Sequence, residues 1–219
     1  MEDKAITGLF ITFEGGEGAG KTTQVNRLAR SLSERGHYVV TTREPGGTPE
    51  SEKIRQLLVQ RDAFNWNPIA ETLMFFAARS MHIESIIKPA LKEGSIVISD
   101  RFTDSTVAYQ GYGKGLDLGK IRDIEKVSID GFKPDLTFLL DIDINKGLER
   151  STKCLSSKLG YEKTEDRFER METEFHKRLR QGFLEIAKKE KKRIKVFDAE
   201  KDAGVLAEGI LEIVLGAMK

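Results

Sequence analysis

A glycine-rich octet, Gly15–Thr22, carries the clearest chemical pattern in the chain. It has the sequence G-G-E-G-A-G-K-T and follows the apolar run Leu9–Phe13, with Glu14 between them. The octet fits G-x-x-x-x-G-K-[ST], in which glycines let several backbone N–H groups converge on a phosphate. Lys21 adds a positive charge for the β- and γ-phosphates, and Thr22 offers a hydroxyl to Mg²⁺. The pattern predicts a nucleoside triphosphate site formed by Gly15, Gly16, Glu17, Gly18, Ala19, Gly20, Lys21, Thr22 and Thr23.

A charged pair ends another apolar run. Ile96–Ser99 is followed at once by Asp100 and Arg101. If this run is a strand beside the first, Asp100 lies next to the glycine-rich loop and holds Mg²⁺ directly or through water. Arg101 then presents its planar guanidinium to a second phosphate. The pair is equally consistent with a surface salt bridge at the end of a strand.

Two residues in a helical pattern suit recognition of a planar base. Phe75 and Arg79 are four residues apart, so they share one helix face. An aromatic ring stacks on a base, and a neighbouring guanidinium donates hydrogen bonds to its edge. Spacing alone favours a core position for Phe75 and a surface position for Arg79. Polar and aromatic residues also follow Arg101 at helical spacing, at Ser105, Thr106, Tyr109 and Gln110.

Short apolar runs alternate with longer helical patterns along the whole chain. The predicted strands are Leu9–Glu14, Tyr38–Thr42, Ile96–Ser99, Leu136–Asp141 and Ile194–Phe197. The predicted helices cover about 21–35, 50–60, 69–93, 104–112, 119–130, 145–152, 165–190 and 202–217. Since strands separated by helices form parallel sheets covered on both faces, the predicted fold class is α/β. We expect three layers, with five parallel strands in the middle and ligands at their carboxyl edge.

The length of 219 residues favours a single domain over 1–219. Within it, Thr152–Asp166 has weak periodicity and several lysines, with Arg167 just beyond. This segment is consistent either with a solvated loop or with a basic flap over phosphates. We therefore expect a short basic lid at about 152–167.

Composition excludes several classes of protein. Hydrophobic residues make up 39% of the chain and the net charge is +1, so we expect a globular protein without a nucleic-acid or membrane partner. Cys154 is the only cysteine, which excludes an intrachain disulfide and favours a reducing compartment. No apolar run reaches the roughly 18 residues of a membrane span, and no signal-peptide pattern is present. A cytoplasmic location is expected.

Five motifs follow one another in fixed order along nearly the whole chain. They are E-G-x-E-G-A-G-K-T-T-Q at 14–24, T-R-E-P-G-G-T at 42–48, L-M-F-F-A-A-R at 73–79, D-R-F-x-x-S-T-x-A-Y-Q-G at 100–111 and P-D-L-T-F-L-L-D at 134–141. Together they resemble the thymidylate kinases, and the fourth motif is absent from other nucleoside monophosphate kinases. The resemblance implies a P-loop NTPase fold and transfer of the γ-phosphoryl group of ATP to dTMP, with Mg²⁺. It also implies a homodimer packed through helices.

The resemblance implies roles for residues on the acceptor side. Arg55 and Arg101 would hold the phosphate of dTMP, and Phe75 would stack on thymine. Arg79 would bond the pyrimidine edge, and Pro45 would shape the pocket around the methyl group. The implied dTMP contacts are Glu17, Pro45, Arg55, Phe75, Arg79, Arg101, Ser105, Thr106, Tyr109 and Gln110.

Two of these residues are expected at the sugar. The resemblance implies that Glu17 approaches the 3′-hydroxyl and that Tyr109 lies where a ribose 2′-hydroxyl would clash. The position after Glu17 is Gly18, whereas some family members carry an arginine there. We therefore expect the lid to supply that arginine, with Arg167 as the best match and Arg150 as the second. The predicted catalytic residues are Lys21, Arg101 and Arg167.

Three alternatives to this function differ in their chemistry. A switch GTPase usually carries N-K-x-D for guanine, and this motif is absent. Another P-loop nucleotide kinase would share the glycine-rich loop but prefer a different acceptor. A nonenzymatic nucleotide-binding module would bind without turnover, although the intact Lys21, Thr22, Asp100 and Arg101 argue against it.

Overall fold

A sheet of five parallel strands forms the centre of the computed structural model, which describes residues 7–60, 65–157 and 165–218. The strands are β1 (Leu9–Glu14), β2 (Val39–Arg43), β3 (Ile96–Asp100), β4 (Leu136–Asp141) and β5 (Ile194–Asp198). Their order across the sheet is β2-β3-β1-β4-β5, and every neighbouring pair is parallel. The predicted α/β class and the five-stranded parallel sheet are confirmed.

Helices cover both faces of this sheet. They are α1 (Lys21–Ser33), α2 (Pro49–Val59), α3 (Pro68–His82), α4 (Lys88–Lys92), α5 (Thr103–Thr106), α6 (Leu118–Ile129), α7 (Ile144–Ser157), α8 (Thr173–Lys189) and α9 (Ala203–Ala217). Successive strand residues point to opposite faces, so Ile11 and Ile98 pack with α1 and α9, whereas Phe10 and Val97 pack with α3 and α6. Burial on both faces explains why β1, β3 and β4 are almost continuously apolar.

Two helices that carry acceptor-side residues begin at well-defined caps. The Thr48 hydroxyl accepts a hydrogen bond from Ser51 N at 3.1 Å, and Pro49 opens α2. The Asn67 side chain accepts one from Ala70 N at 2.8 Å, and Pro68 opens α3. Such caps satisfy free N–H groups of the first turn, and a proline there costs no hydrogen bond. They fix where α2 and α3 start, and hence where Arg55, Phe75 and Arg79 lie.

The structure corrects several expected helix bounds. Helix α7 continues to Ser157 instead of ending at 152, so the first part of the expected lid is helical. Helix α8 begins at Thr173 rather than 165, because the preceding turns place Phe168 edge-on against the Tyr109 ring, with centroids 5.1 Å apart. The middle of the expected lid, 158–164, lies outside the described residues.

π-helical segments interrupt two predicted helices. One, Ile83–Ile87, joins α3 to α4, and the other, Val107–Gly113, follows α5 directly. Single π-helical turns are frequent at functional sites, and the second segment contains Tyr109 and Gln110. Within the described ranges, every helix is too short or too polar to pass through a bilayer.

Candidate active site

The glycine-rich loop lies at the carboxyl edge of β1 and leads into α1. Gly20, with φ of 87°, stands before α1 without a side-chain cap, so the first N–H groups of the helix remain available to a ligand. The Lys21 Nζ donates hydrogen bonds to Gly15 O at 3.1 Å and Gly16 O at 2.8 Å. Burial, together with the charge of Arg101, lowers the pKa of Lys21. The loop thus brings the Lys21 ammonium close to the N–H groups at the start of α1, which have no side-chain cap.

Thr22 and Asp100 meet at the edge of the sheet. The register of β1 with β3 pairs Phe13 with Asp100, which brings the end of β3 beside the glycine-rich loop. The Thr22 hydroxyl donates a hydrogen bond to Asp100 Oδ2 at 2.7 Å. Two hard oxygen groups are therefore adjacent, as the sequence predicts for a Mg²⁺ site. Within the described residues, no three His, Cys, Asp or Glu side chains form a metal site by themselves.

Glu17, which belongs to the glycine-rich loop, is the centre of a charged cluster. Arg101 Nη2 donates to Glu17 Oε1 at 2.8 Å, and the Tyr109 hydroxyl donates to the same oxygen. Burial disfavours the Glu17 carboxylate, but the charges of Arg101 and Lys21 outweigh it and lower its pKa. Burial raises the pKa of the Tyr109 hydroxyl, which therefore remains a donor. The cluster leaves Glu17 ionised, with Oε2 free of the hydrogen bonds from Arg101 and Tyr109.

The backbone turns sharply at Arg101. Its φ is 74°, in the left-handed region, and its Nη1 donates to Gly15 O at 3.0 Å and Ser105 Oγ at 3.1 Å. Such a conformation costs about 1 kcal/mol or more and persists only where the surroundings impose it. Glu14 imposes it by accepting hydrogen bonds from Phe102 N at 2.8 Å and from the Ser105 hydroxyl. Burial and the nearby Asp104 charge raise the pKa of Glu14 to about 8.

A cavity opens beside this cluster. Phe75 and Arg79 lie in its lining, and Arg79 is buried, so the surface position that spacing favours for it is wrong. Arg79 Nε donates to Glu44 Oε2 at 2.6 Å, while Nη2 donates to Thr106 Oγ1 at 3.1 Å. The cavity lining also contains Glu17, Pro45, Arg55, Arg101, Ser105, Thr106, Tyr109 and Gln110. All ten acceptor-side residues implied by the resemblance are therefore brought together.

Arg55 lies at the mouth of the cavity. Its Nη1 donates to the carbonyl of Pro45 at 2.8 Å, which ties α2 to the loop after β2. Its Nε donates to Glu165 Oε1 at 2.9 Å, and Nη2 donates to the other carboxylate oxygen. Glu165, near the end of the expected lid, thus bonds to the predicted phosphate ligand.

The two candidate lid arginines have separate positions. Arg167 Nη1 donates to the carbonyl of Leu58 at 2.7 Å and to the buried carboxylate of Glu71, so its guanidinium lies against α2 and α3. Arg150 Nη1 donates to Ala199 O at 2.9 Å, at the loop after β5. In this structure neither guanidinium bonds to the glycine-rich loop. The predicted role of Arg167 at the transferred phosphoryl group stays a prediction.

Several buried polar residues at the site are not apparent from the sequence motifs. Glu14 holds the Arg101 turn, Glu44 and His82 contact each other behind Arg79, and Glu71 accepts from Gln110 Nε2 at 2.9 Å. The available signal is a charge inside an apolar pattern, as at the end of β1. A charged residue in such a pattern is expected to be buried, but the pattern does not identify the residue that pairs with it.

The phosphate loop after β1, the aspartate at the end of β3 and the adjoining cavity together define a P-loop nucleotide kinase. The sequence profile of one family, described as "Thymidylate kinase", matches residues 13–210. The chain belongs to that family.

Individual relatives agree along most of the chain. It is 42% identical over 211 residues to the thymidylate kinase of Geotalea uraniireducens strain Rf4, covering 96% of this chain and 98% of the relative. It is 46% identical over 190 residues to that of Syntrophotalea carbinolica, covering 87% of each. The crystal structure of thymidylate kinase from Ehrlichia chaffeensis superposes with a TM-score of 0.74 at 38% identity, covering 95% of this chain and 98% of that one.

Proposed function

We propose that the protein transfers the γ-phosphoryl group of ATP to dTMP, giving ADP and dTDP. The observation that carries this proposal is the cavity beside the phosphate loop, with Phe75 and Arg79 in its lining together with Arg101 and Glu17. Its lining supplies an aromatic face, a base-edge donor and a cation, the groups that a nucleotide requires. Family membership supports dTMP as the acceptor.

We propose that residues 15–23 hold the triphosphate of ATP. The uncapped start of α1 and the Lys21 ammonium support this role, since N–H groups and a cation converge there. Thr22 and Asp100 would hold Mg²⁺, and the contact between their oxygen atoms fits a hard cation that is otherwise bound by nucleotide phosphates. When bound, Mg²⁺ neutralises charge on the phosphate oxygens.

The acceptor would lie across the cavity. Phe75 would stack on thymine and Arg79 would donate to its edge, with Thr106 and Gln110 beside it and Pro45 near the methyl group. Thr106 already bonds to Arg79, which supports a shared surface for the base.

The other end of the acceptor carries the phosphate and sugar. Arg55 and Arg101 would hold the phosphate with Ser105 nearby, and Glu17 would accept from the 3′-hydroxyl. Tyr109 would exclude a 2′-hydroxyl, because it is buried against Phe168 and bonded to Glu17.

The reaction needs no dedicated general base. The second pKa of a phosphate monoester is about 6, so the acceptor is mostly an ionised oxygen nucleophile at neutral pH. Catalysis then consists of alignment and neutralisation of charge spread over the transferred group. Lys21, Arg101 and, as predicted, Arg167 supply positive charge for that purpose. These cationic side chains supply the charge, and no histidine is among the described residues that line the acceptor cavity.

A coupled ADP-release assay across nucleoside monophosphates tests the proposal. We expect strong turnover with dTMP and a value of kcat/KM for dUMP about 10- to 100-fold lower, since one buried methyl group gives about 1–3 kcal/mol of discrimination. ADP release without any acceptor would indicate an ATPase, and nucleotide binding without turnover would indicate a binding module. Strong preference for another monophosphate would indicate a different nucleotide kinase.

We further propose that the protein is a cytoplasmic homodimer, as the family resemblance implies. The single cysteine, Cys154, supports a reducing compartment. Light scattering on the purified chain tests the dimer, and a monomer at micromolar concentration would contradict it.

A further inference from the structure

The guanidinium of Arg79 is buried, and its Nε and Nη2 donate hydrogen bonds to groups inside the protein. Its side chain is 2% exposed, and its Cζ lies 4.7 Å from the Phe76 ring centroid and 5.3 Å from that of Phe102. Nε donates to Glu44, and Nη2 donates to the carbonyl of Phe102 at 3.2 Å and to Thr106 Oγ1. Among the described residues, Nη1 has no hydrogen-bond partner. A buried cationic donor without a partner is costly unless a ligand supplies an acceptor.

A chain of hydrogen bonds from Thr42 through His82 holds the carboxylate oxygen of Glu44 that does not bond to Arg79. His82 Nδ1 lies 2.9 Å from Glu44 Oε1, and His82 Nε2 lies 2.6 Å from Thr42 Oγ1. Glu44 and His82 are buried, and His82 is absent from the cavity lining. Both carboxylate oxygens of Glu44 are thus occupied, one by His82 and one by Arg79.

The direction of the hydrogen bond to Glu44 follows from the chemistry of the groups. An ionised carboxylate only accepts, so the Nδ1 of His82 donates to Glu44. The other ring nitrogen, Nε2, pairs with the Thr42 hydroxyl, which is able to donate or to accept. Gly47 closes the other side of the imidazole: with φ of 89°, a Cβ there would lie 2.5 Å from His82 Cδ2. The loop after β2 therefore holds the imidazole ring in place.

We propose that Thr42, His82 and Glu44 are positioning residues that keep Nε of Arg79 occupied, so that its Nη1 donors stay available for a carbonyl oxygen of the acceptor base. The inference rests on the proposed function for the identity of the acceptor. It follows that a base with an amino group at that place leaves Nη1 unpaired and is rejected. The specificity of the cavity thus depends in part on Thr42 and His82, which are not among the residues that line it.

Thr42 offers the sharpest kinetic test because it is only half-buried and has two near-isosteric substitutes. Thr42→Val removes the hydroxyl and leaves Nε2 of His82 unpaired, whereas Thr42→Ser retains it. For T42V we expect the KM for dTMP to rise about five- to tenfold, with kcat and the KM for ATP within about twofold. The preference for dTMP over dCMP should fall by a similar factor. T42S should restore both parameters to near the wild-type values.

A second pair of variants separates the two contacts of His82. The amide nitrogen of an asparagine side chain reaches the position of Nδ1, and that of a glutamine reaches the position of Nε2. His82→Asn should therefore keep the bond to Glu44 and the dTMP preference, while His82→Gln should lose both. Equal loss in both variants, with matched melting temperatures, would overturn the proposal.

The positioning can also be measured without turnover. Nitrogen-15 spectra should show one arginine Nε–H resonance that exchanges slowly with water and disappears in Arg79→Lys. We expect exchange about tenfold faster or more in T42V and H82Q than in T42S and the wild-type protein. Unchanged exchange in T42V would overturn the inference even if dTMP kinase activity is found. Absence of dTMP kinase activity with the expected exchange pattern would overturn the proposed function alone.

Discussion

Arg55 and Glu165 form a bidentate ion pair at the mouth of the acceptor cavity, with Arg55 Nε 2.9 Å from Glu165 Oε1. The Glu165 carboxylate occupies the Nε–Nη2 edge of the guanidinium, and phosphate monoesters bind arginine in the same bidentate way. Since Arg55 is the proposed ligand of the acceptor phosphate, we expect dTMP to displace Glu165 when it binds. The end of the lid would then compete with the substrate.

Glu165→Gln should strengthen acceptor binding. A partly exposed ion pair contributes about 0–1 kcal/mol, so we expect the KM for dTMP to fall by about two- to fivefold, with kcat nearly unchanged. Glu174→Gln is a matched control because Glu174 is exposed and forms an ion pair with Lys177 in α8. Steady-state kinetics at fixed ATP measures the effect. A higher KM in E165Q would mean that Glu165 orients Arg55 for the substrate.

Asp100→Asn should damage the chemical step more than binding. The substitution removes the carboxylate proposed to hold Mg²⁺, so we expect kcat to fall by about 100-fold or more. The Mg²⁺ concentration for half-maximal rate should rise, while the Kd for dTMP changes little. Thr22→Ser keeps the hydroxyl and serves as the control. An unchanged Mg²⁺ dependence in D100N would remove Asp100 from that role.

Arg167→Ala separates two roles for the arginine at the end of the expected lid. If Arg167 stabilises the transition state, kcat falls with little change in the KM for either nucleotide. The bonds to Leu58 and Glu71 give it a second role, which is to hold the end of the lid against α2 and α3. We expect the kcat effect, measured with both substrates saturating. A change confined to KM would assign only the holding role.

Glu169 makes stability depend on pH. Burial, together with the charge of Glu17, raises the pKa of Glu169 from 4.5 to about 7. Between those values the folded chain keeps a proton that the unfolded chain has lost. The free energy of unfolding should therefore fall as the pH rises through this window, at up to about 1.4 kcal/mol per pH unit.

Urea unfolding of the wild-type protein and of Glu169→Gln at several pH values between 4.5 and 8 measures this dependence. The variant should show a smaller decrease than the wild-type protein, because the raised pKa of Glu14 still contributes to it, while Glu208→Gln, at an exposed position on α9, should retain the full decrease. Parallel curves for the wild-type protein and E169Q would show that Glu169 titrates normally in the folded chain.

The sheet and the donor site could be predicted from local patterns. Apolar runs identified all five strands, and the glycine-rich loop together with the β3 end placed Thr22 beside Asp100. These features depend on residues that are close in sequence or on the general rule that parallel strands end at one edge. The end of helix α7 was less predictable, because apolar periodicity is weak from Thr152 onward although the helix continues to Ser157.

The buried polar partners could not be predicted in the same way. Glu44 and Arg79 are separated along the chain, as are Glu14 and Phe102, and their pairing depends on how α3 and the β3 end pack onto the sheet. Helical periodicity assigned Arg79 to the surface, because periodicity does not show that a buried carboxylate, that of Glu44, is present to pair with it. Arg167 illustrates the same limit, since Glu71 binds it from a helix almost one hundred residues earlier.

The close approach of α7 to the phosphate loop limits how this site can evolve. A Cβ at Gly18, where φ is 67°, would lie 1.9 Å from the carbonyl oxygen of Gly147 in α7. An arginine cannot enter the loop at this position by a single substitution, because the first turn of α7 would have to withdraw in the same step. The two arrangements that the family resemblance implies, with an arginine in the loop or in the lid, would therefore be separated by coupled changes. A library of single substitutions would find no functional path between them.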